Sequence, residues 1–494
     1  MKKLLIANRG EIAVRVIRAA REMGIKTVAV FSEADRSSMH VALADEAVFL
    51  GESEPAQSYL DMGKILESAK ATGADAIHPG YGFLSERAEF SEACEVAGIA
   101  FVGPSADAMR KLGAKIDAKK LAVEAGVPVT PGYFEPGASS ETLYNEAVRI
   151  GFPVMLKASA GGGGRGMRIV RDPERFLEEA AIASDEALKG FGDGAMMVEK
   201  LIEQPRHIEA QILADTHGNV AILFERECSL QRRHQKLVEE APSPAFRGRD
   251  DLWEKMRTSV ESLVRLAGYT GAGTAEFMFD EKSGNFYFLE VNARLQVEHP
   301  VTELITGVDL VKQQLRIASG LAIVMPSAAR DSIRGHAIEV RIVAEDPAKG
   351  FLPSIGKITA WAEPKAPGVR VDTGFGPGGE ITRYYDSLIA KVIAHAPTRD
   401  EAIDKLKNAL RDFHILGVKT NIAYLIDILS HPHFQSGDLD TGFLERELPE
   451  WMPSNTIPPE LADILAMPND VTTTGTKTTA SGVWDSADSF RNVR

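Results

Sequence analysis

The chain reads as a mixed α/β and α+β protein. A doubly wound parallel sheet opens it, an antiparallel α+β region follows, and a second α+β region closes the folded part. Three observations predict this. Short apolar runs alternate with helical periodicity over roughly the first 110 residues. From about Lys115 to Gly320 the pattern changes to paired strand-like runs with long helices. From about Arg334 to Leu448 a further α+β pattern contains HAIEVRIVAED and YYDSLIAKVI. The domains are set at 1–113, 114–320 and 331–448, with 449–494 as a tail. That tail is Pro-rich, then TTTGTKTTASG without periodicity, and is expected to be disordered.

The first region is legible element by element. KLLIA (3–7) is a buried strand, and Glu11 to Met23 places Ile12, Val16, Ile17, Ala20 and Met23 at helical spacing before a stop at Gly24. KTVAVF (26–31) and Ala74 to His78 are further strands, with Ile65 to Lys70 inside a helix. The turn Asn8-Arg9-Gly10 lacks the dinucleotide fingerprint, which argues against NAD. HPGYGFLSE (78–86) sits at the C-terminal end of a strand, where such sheets place ligands; a plain Pro-Gly turn is the alternative.

KASAGGGGRGM (157–167) is a glycine hairpin between two short strands, Pro153 to Leu156 and Met167 to Val170. Bare N–H groups in such a hairpin suit a phosphate, although a mobile turn has the same composition. The Walker pattern is absent, since no Lys-Ser or Lys-Thr follows the last glycine.

TAEFMFDEKSGNFYFLEVNARLQVEHP (274–300) carries the strongest signal. Thr274 to Asp280 and Phe286 to Asn292 are strands joined by a turn. If Asp280 faces Phe286, Glu276 lies opposite Glu290, with Cβ atoms about 5 Å apart. Two such acids repel unless a cation lies between them. Glu290, Asn292, Arg294, Gln296 and Glu298 share one parity, while Val291, Ala293, Leu295 and Val297 take the buried one. A solvated hairpin is the plain alternative, but two opposed acids and an amide suit Mg²⁺. The cationic run CSLQRRHQK (228–236) is a surface patch or, between a glycine loop and an acid pair, an anion cradle. His207 taken alone is most simply structural.

Composition narrows the class. Hydrophobic content of 44% and charged content of 26% are those of a soluble globular protein. A net charge of −14 argues against a nucleic-acid binder. Two cysteines make no disulfide framework or zinc site, no apolar run spans a membrane, and MKKLLIANRGE is too short a signal peptide. A cytoplasmic setting is expected.

MKKLLIANRGEIAVRVIRAAREMGIKTVAVFSEAD, IHPGYGFLSE, KASAGGGGRGM, ECSLQRRHQKLVEEAPSP, LEVNARLQVEHPVTE and RGHAIEVRIVAED together resemble biotin carboxylase, the ATP-grasp component of biotin-dependent carboxylases. The resemblance runs from residue 1 to about residue 448. It implies a biotin carboxylase N-terminal domain, an ATP-grasp domain with a mobile lid subdomain, and a C-terminal domain. Lys115 and Lys157 would contact ATP phosphates under a lid formed by Gly161, Gly162, Gly163, Gly164, Arg165 and Gly166. Glu199, Lys200 and Ile202 would line the adenine site, and His207, Gln231 and His234 the ribose and phosphates. Glu276, Glu290 and Asn292 would hold Mg²⁺ (or Mn²⁺). Lys236, Arg294, Gln296, Val297 through its backbone, and Glu298 would hold bicarbonate, with Arg341 facing biotin. Ala160 stands where many members have glycine, and Arg383 where proline is common.

The resemblance implies ATP- and bicarbonate-dependent carboxylation of biotin through carboxyphosphate, with Glu298 as general base. No Met-Lys-Met biotinylation site occurs in the sequence, so biotin is expected on a separate biotin carboxyl carrier protein, beside a carboxyltransferase. An acyl-CoA carboxylase (acetyl- or propionyl-CoA) is the first expectation for the complex. A two-subunit pyruvate carboxylase is the alternative, and another acyl-phosphate-forming ATP-grasp ligase is further off. A homodimer is implied, with the segment around Arg15, Arg18 and Glu22 near the partner.

Overall fold

The computed structural model describes residues 1–135, 137–159, 166–233, 235–325 and 329–453. The N-terminal sheet has five parallel strands in the order β3-β2-β1-β4-β5. These are β1 (Lys3–Ile6), β2 (Lys26–Ser32), β3 (Glu46–Gly51), β4 (Ala76–His78) and β5 (Ala100–Phe101). Strand alternation sends Leu4 and Ile6 to one face, against Ile12, Val16 and Ile17 of the helix Gly10–Glu22. Leu5 and Ala7 take the other face, with Ile65 of the helix Met62–Thr72 and Phe90 of the helix Ala88–Val96. Helices thus cover both faces, as the periodicity predicts. The edge strands β3 and β5 escape that reading: β3 is largely solvent-facing and β5 is two residues long, so neither carries an apolar run.

A second sheet, ordered β6-β9-β7-β8, is built from β6 (Gly132–Tyr133), β7 (Val154–Ala158), β8 (Met167–Val170) and β9 (Met196–Lys200). The helices Ser140–Ile150 and Phe176–Phe191 pack on it through Leu143, Ala147, Phe176 and Ala183. β7 and β8 form the expected hairpin, with Lys157 opposite Met167. Gly161, Gly162, Gly163, Gly164 and Arg165 lie outside the described residues. Gly166 closes the hairpin at φ +70, where a Cβ would also stand 3.0 Å from that of Ala158.

The largest sheet has eight antiparallel strands. Its order begins with β14 (Asn285–Asn292), β13 (Gly271–Asp280), β10 (Arg206–Ala214), β11 (Val220–Arg232) and β12 (Gln235–Ala241). It continues through β15 (His336–Val343) to the strands Leu388–Ala396 and Val369–Thr373. The second and third regions are therefore one continuous sheet, joined where Val238 of β12 opposes Val340 of β15. Sequence separation hides that pairing. Two clusters of buried side chains cover the two halves of the sheet.

Packing also runs past residue 448. The Trp451 ring lies 5.2 Å from that of Tyr424, and its indole N–H donates to Asp427 Oδ2 at 2.7 Å. The rest of the expected tail, from residue 454, lies outside the described residues. No helix among the described residues is long and apolar enough to cross a membrane.

Candidate active site

The acid pair is made by a one-residue irregularity. From the turn, Asp280 opposes Asn285, Phe279 opposes Phe286 and Phe277 opposes Phe288. The register then shifts, and Glu276 opposes Glu290. The pairing of the acids is as expected, but the anchor is not: Asp280 faces Asn285, not Phe286. Leu289 is the extra residue. All four phenylalanines are buried in the core, and Glu290 has the parity of Phe286 and Phe288. Without the bulge Glu290 would enter that core; with it, Glu290 turns to the face of Glu276.

Burial and the neighbouring Glu276 raise the Glu290 carboxyl above the usual range, with Lys115 opposing. Glu276 is already ringed by donors. Its Oε1 accepts from Asn292 Nδ2 (2.8 Å), Lys236 Nζ (2.9 Å) and Gln296 Nε2 (3.3 Å), and its Oε2 lies 3.0 Å from His207 Nε2. Two opposed acids, one short of positive partners, and an adjacent amide oxygen fit a hard divalent cation.

Strand β14 ends at Asn292, so the alternation from Arg294 to Glu298 continues in a loop and not in a strand. The polar residues converge nonetheless. Arg294 donates to Glu86 Oε2 (2.9 Å), Gln296 Oε1 (3.0 Å) and Asn292 Oδ1 (3.0 Å). Glu298 stands at the N-terminal boundary of the helix His299–Thr306, makes no side-chain capping bond to it, and is fully buried. Lys236 Nζ reaches three carboxylates, Glu209 (2.6 Å), Glu276 (2.9 Å) and Glu298 (2.7 Å). Burial opposes the ammonium charge, but the three acids outweigh it and raise Lys236 well above its ordinary value. Burial likewise opposes ionisation of Glu298, yet Lys236, Arg341 and Arg226 hold it well below the carboxylate range. Arg341, about forty residues beyond Glu298 in the chain, lies with its Nη2 3.0 Å from Glu298 Oε2. Its remoteness in sequence separates it from Glu276 and Glu290; the shared sheet brings it back.

On the other flank Lys115 opens the helix Lys115–Glu124, and burial lowers its affinity for a proton. Lys157 Nζ lies 2.7 Å from Glu199 Oε2, and Lys119 bonds the other oxygen. Burial opposes the Glu199 charge, but the two lysines hold the carboxyl down to about 2. The Lys200 ammonium is tied to the carbonyls of Gly151 (2.8 Å) and Phe152 (3.1 Å), and Ile202 follows β9 partly exposed. Gln231 Nε2 donates to His207 Nδ1 at 2.8 Å. His234 lies outside the described residues.

The cationic run divides. Gln231 and Lys236, opposite each other on β11 and β12, join the site. Arg232 instead pairs with Glu345 (2.6 Å) and covers the Phe351 ring, and Arg233 is exposed. Of the described cations of the run, Lys236 faces the acid cluster, whereas Arg232 and Arg233 do not. The carbonyl of Val297 accepts from Lys391 Nζ at 2.7 Å. Arg15, expected near a partner subunit, is bound within the chain to Glu303 (2.9 Å) and Asp309 (2.7 Å).

Sequence reasoning missed Glu209, Glu239 and Lys391: the last two lie within the runs ECSLQRRHQKLVEEAPSP and YYDSLIAKVI, but nothing local says which distant charge each of the three meets. Glu86 was within reach, because it ends the strand-end motif HPGYGFLSE.

Three family models tile the chain. Residues 1–109 match the biotin carboxylase N-terminal domain, 114–325 the ATP-binding domain of carbamoyl-phosphate synthase L chain, and 339–446 the biotin carboxylase C-terminal domain. Biotin carboxylase 1 of Bacillus subtilis (strain 168) is 49% identical over 445 residues, covering 90% of this chain and 98% of that protein. The mitochondrial methylcrotonoyl-CoA carboxylase subunit alpha of Mus musculus is 48% identical, covering 92% of this chain but 63% of that protein. The biotin carboxylase domain dimer of Hydrogenobacter thermophilus 2-oxoglutarate carboxylase, solved with MgADP, ADP and bicarbonate, superposes with a TM-score of 0.85. It is 48% identical, over 90% of this chain and 97% of that one. The parallel-sheet domain, the ATP-grasp domain and the C-terminal domain follow the architecture of these relatives.

Proposed function

The chain belongs to the biotin carboxylase family of ATP-dependent ligases, and from that premise we propose how its residues divide the reaction and which complex it serves. The observation that carries the reading is the convergence of Lys236 and Arg341 on the two oxygens of Glu298, at 2.7 and 3.0 Å.

Bicarbonate is held by Arg294, Gln296 and Lys236, and Glu298 takes its proton. Glu298 is ionised but weakly basic while both cations hold it. Bicarbonate that draws Lys236 onto its own oxygens restores basicity at the moment of need. Lys115 and Lys157 hold ATP phosphates, with Glu199, Lys200 and Ile202 at the base and His207, Gln231 and His234 nearby. Glu276, Glu290 and Asn292 would hold Mg²⁺, which when bound would neutralise charge on the transferring phosphoryl group. The bicarbonate oxygen attacks the γ-phosphorus, ADP leaves, and the carboxyphosphate formed breaks to CO₂ and phosphate. Phosphate removes the ureido proton of biotin, and Arg341 stabilises the resulting enolate-like oxygen while the ureido nitrogen takes up CO₂. Exclusion of water from the carboxyphosphate is the role that the family resemblance gives to the segment from Gly161 to Gly166.

The biotin acceptor is carried by a separate carrier protein, and the complex is an acyl-CoA carboxylase with its own carboxyltransferase. The likeness to a methylcrotonoyl-CoA carboxylase subunit supports that choice. A homodimer is supported by the dimeric relative. The test is phosphate release by the purified chain with MgATP and bicarbonate. Free biotin should accelerate it; stimulation by an amine instead of biotin would indicate a different ATP-grasp ligase. Co-purification of the native complex identifies the carboxyltransferase and so the final acceptor.

A further inference from the structure

Glu239 of β12 and Glu339 of β15 stand directly opposite each other across the seam of the large sheet. Both are 0% exposed. Glu239 Oε1 accepts from Arg341 Nε at 2.6 Å. Its Oε2 has no hydrogen-bond partner among the described residues, and neither does either oxygen of Glu339.

The charged groups facing the pair come from each surrounding element. They are Arg341 on β15, Lys236 on β12, Glu298 ahead of the helix His299–Thr306, and Lys391 on the strand Leu388–Ala396, where it opposes Arg341. Lys391 is already engaged. Its Nζ donates to the Val297 carbonyl at 2.7 Å and lies 3.3 Å from Glu11 and 3.7 Å from Asp372. Arg341 is shared between Glu239 and Glu298. No cation remains that bonds Glu339 among the described residues.

Two carboxyl groups borne on opposed residues whose Cβ atoms stand about 5 Å apart on neighbouring strands, and shut off from solvent, do not both stay ionised. We propose that Glu239 and Glu339 form a buried proton-binding site, one proton shared between the two carboxyls, and that it positions Arg341 toward Glu298. One O–H satisfies an orphaned oxygen on each side chain and leaves Arg341 balanced by two anions in place of three. Burial acts in the same sense, pushing Glu239 up to about 7 and Glu339 well above the usual carboxylate range.

The consequence for biotin rests on the role proposed above for Arg341; the proton itself does not. Infrared spectra of the ligand-free protein at neutral pH, wild type minus Glu339→Gln, should contain the carbonyl stretch of a protonated carboxylic acid that shifts in D₂O. A difference containing only ionised carboxylate bands would overturn the proposal. Glu339→Ala should raise KM for biotin by about tenfold with KM for ATP unchanged, and Glu339→Gln, whose amide can donate in place of the O–H, should restore most of that loss. A Glu339→Gln protein as impaired as Glu339→Ala would also overturn it. The infrared band without any biotin effect would uphold the proton site and count against the Arg341 role.

Discussion

Arg341 Nη2 lies 3.0 Å from Glu298 Oε2, a contact that ties the C-terminal domain to the loop after the acid hairpin. One guanidinium therefore serves both a carboxylate assigned to bicarbonate and the space assigned to biotin. Arg341→Ala should reduce biotin-stimulated ATP hydrolysis by at least tenfold, about 1.4 kcal/mol of barrier, and leave ATP affinity within about threefold. It should also lower Tm, because Glu239 and Glu298 lose a shared buried partner. Equilibrium nucleotide binding to the folded variant decides the matter: loss of ATP binding contradicts the division of labour.

Glu290→Gln should lower turnover at least tenfold, with the deficit largest at limiting Mg²⁺. The variant removes the acid that has least compensation from nearby donors, so its fold should be intact or slightly stabilised. A magnesium titration of ATPase activity is the measurement. A half-saturation point equal to wild type would remove Glu290 from the metal site.

Deleting Leu289 should be far more damaging than replacing it. Leu289→Ala keeps the bulge, whereas deletion restores simple alternation and drives Glu290 toward the Phe286 and Phe288 side of the sheet. Burying an unpaired carboxylate there is expected to destabilise by several kcal/mol, on the order of 3–5. Chemical denaturation of the two variants should separate them clearly. Equal stability would mean that the bulge does not set the register of Glu290.

Acid should weaken the seam of the large sheet through Glu240. Its carboxylate is fully buried and takes Arg399 in two bonds, at 2.7 and 2.9 Å, with His336 Nε2 at 2.6 Å. Burial opposes the charge, but Arg399 and His336 hold the carboxyl down to about 2, against an ordinary 4.5. A depressed folded value means that the stabilisation is present above pH 4.5 and fades as pH falls through about 2. Circular dichroism should show the wild type losing stability across that window, whereas Glu240→Gln, already destabilised by about 3 kcal/mol at neutral pH, should respond less. Parallel acid profiles for the two proteins would disprove this.

The sequence by itself determined the elements whose signal is local. Alternation in KLLIA and KTVAVF, the helix stop at Gly24 and the glycine hairpin flanks are set by residues a few positions apart, and the structure places them accordingly. The pairing of Glu276 with Glu290 was legible because one short turn joins their strands, though the count to it was wrong by the Leu289 bulge. Only the tertiary structure decided what depends on distant partners. β12 and β15 are separated by some ninety residues and become neighbours solely through sheet formation. That pairing sets Arg341 against Glu298 and Glu239 against Glu339. It also recruits Lys391 to the Val297 carbonyl and leaves Arg232 facing Glu345 and not the site. Periodicity reports which face of its own strand a side chain takes. Which charge waits on the next strand is fixed by register across long loops, and the electrostatics of this site follow from that register.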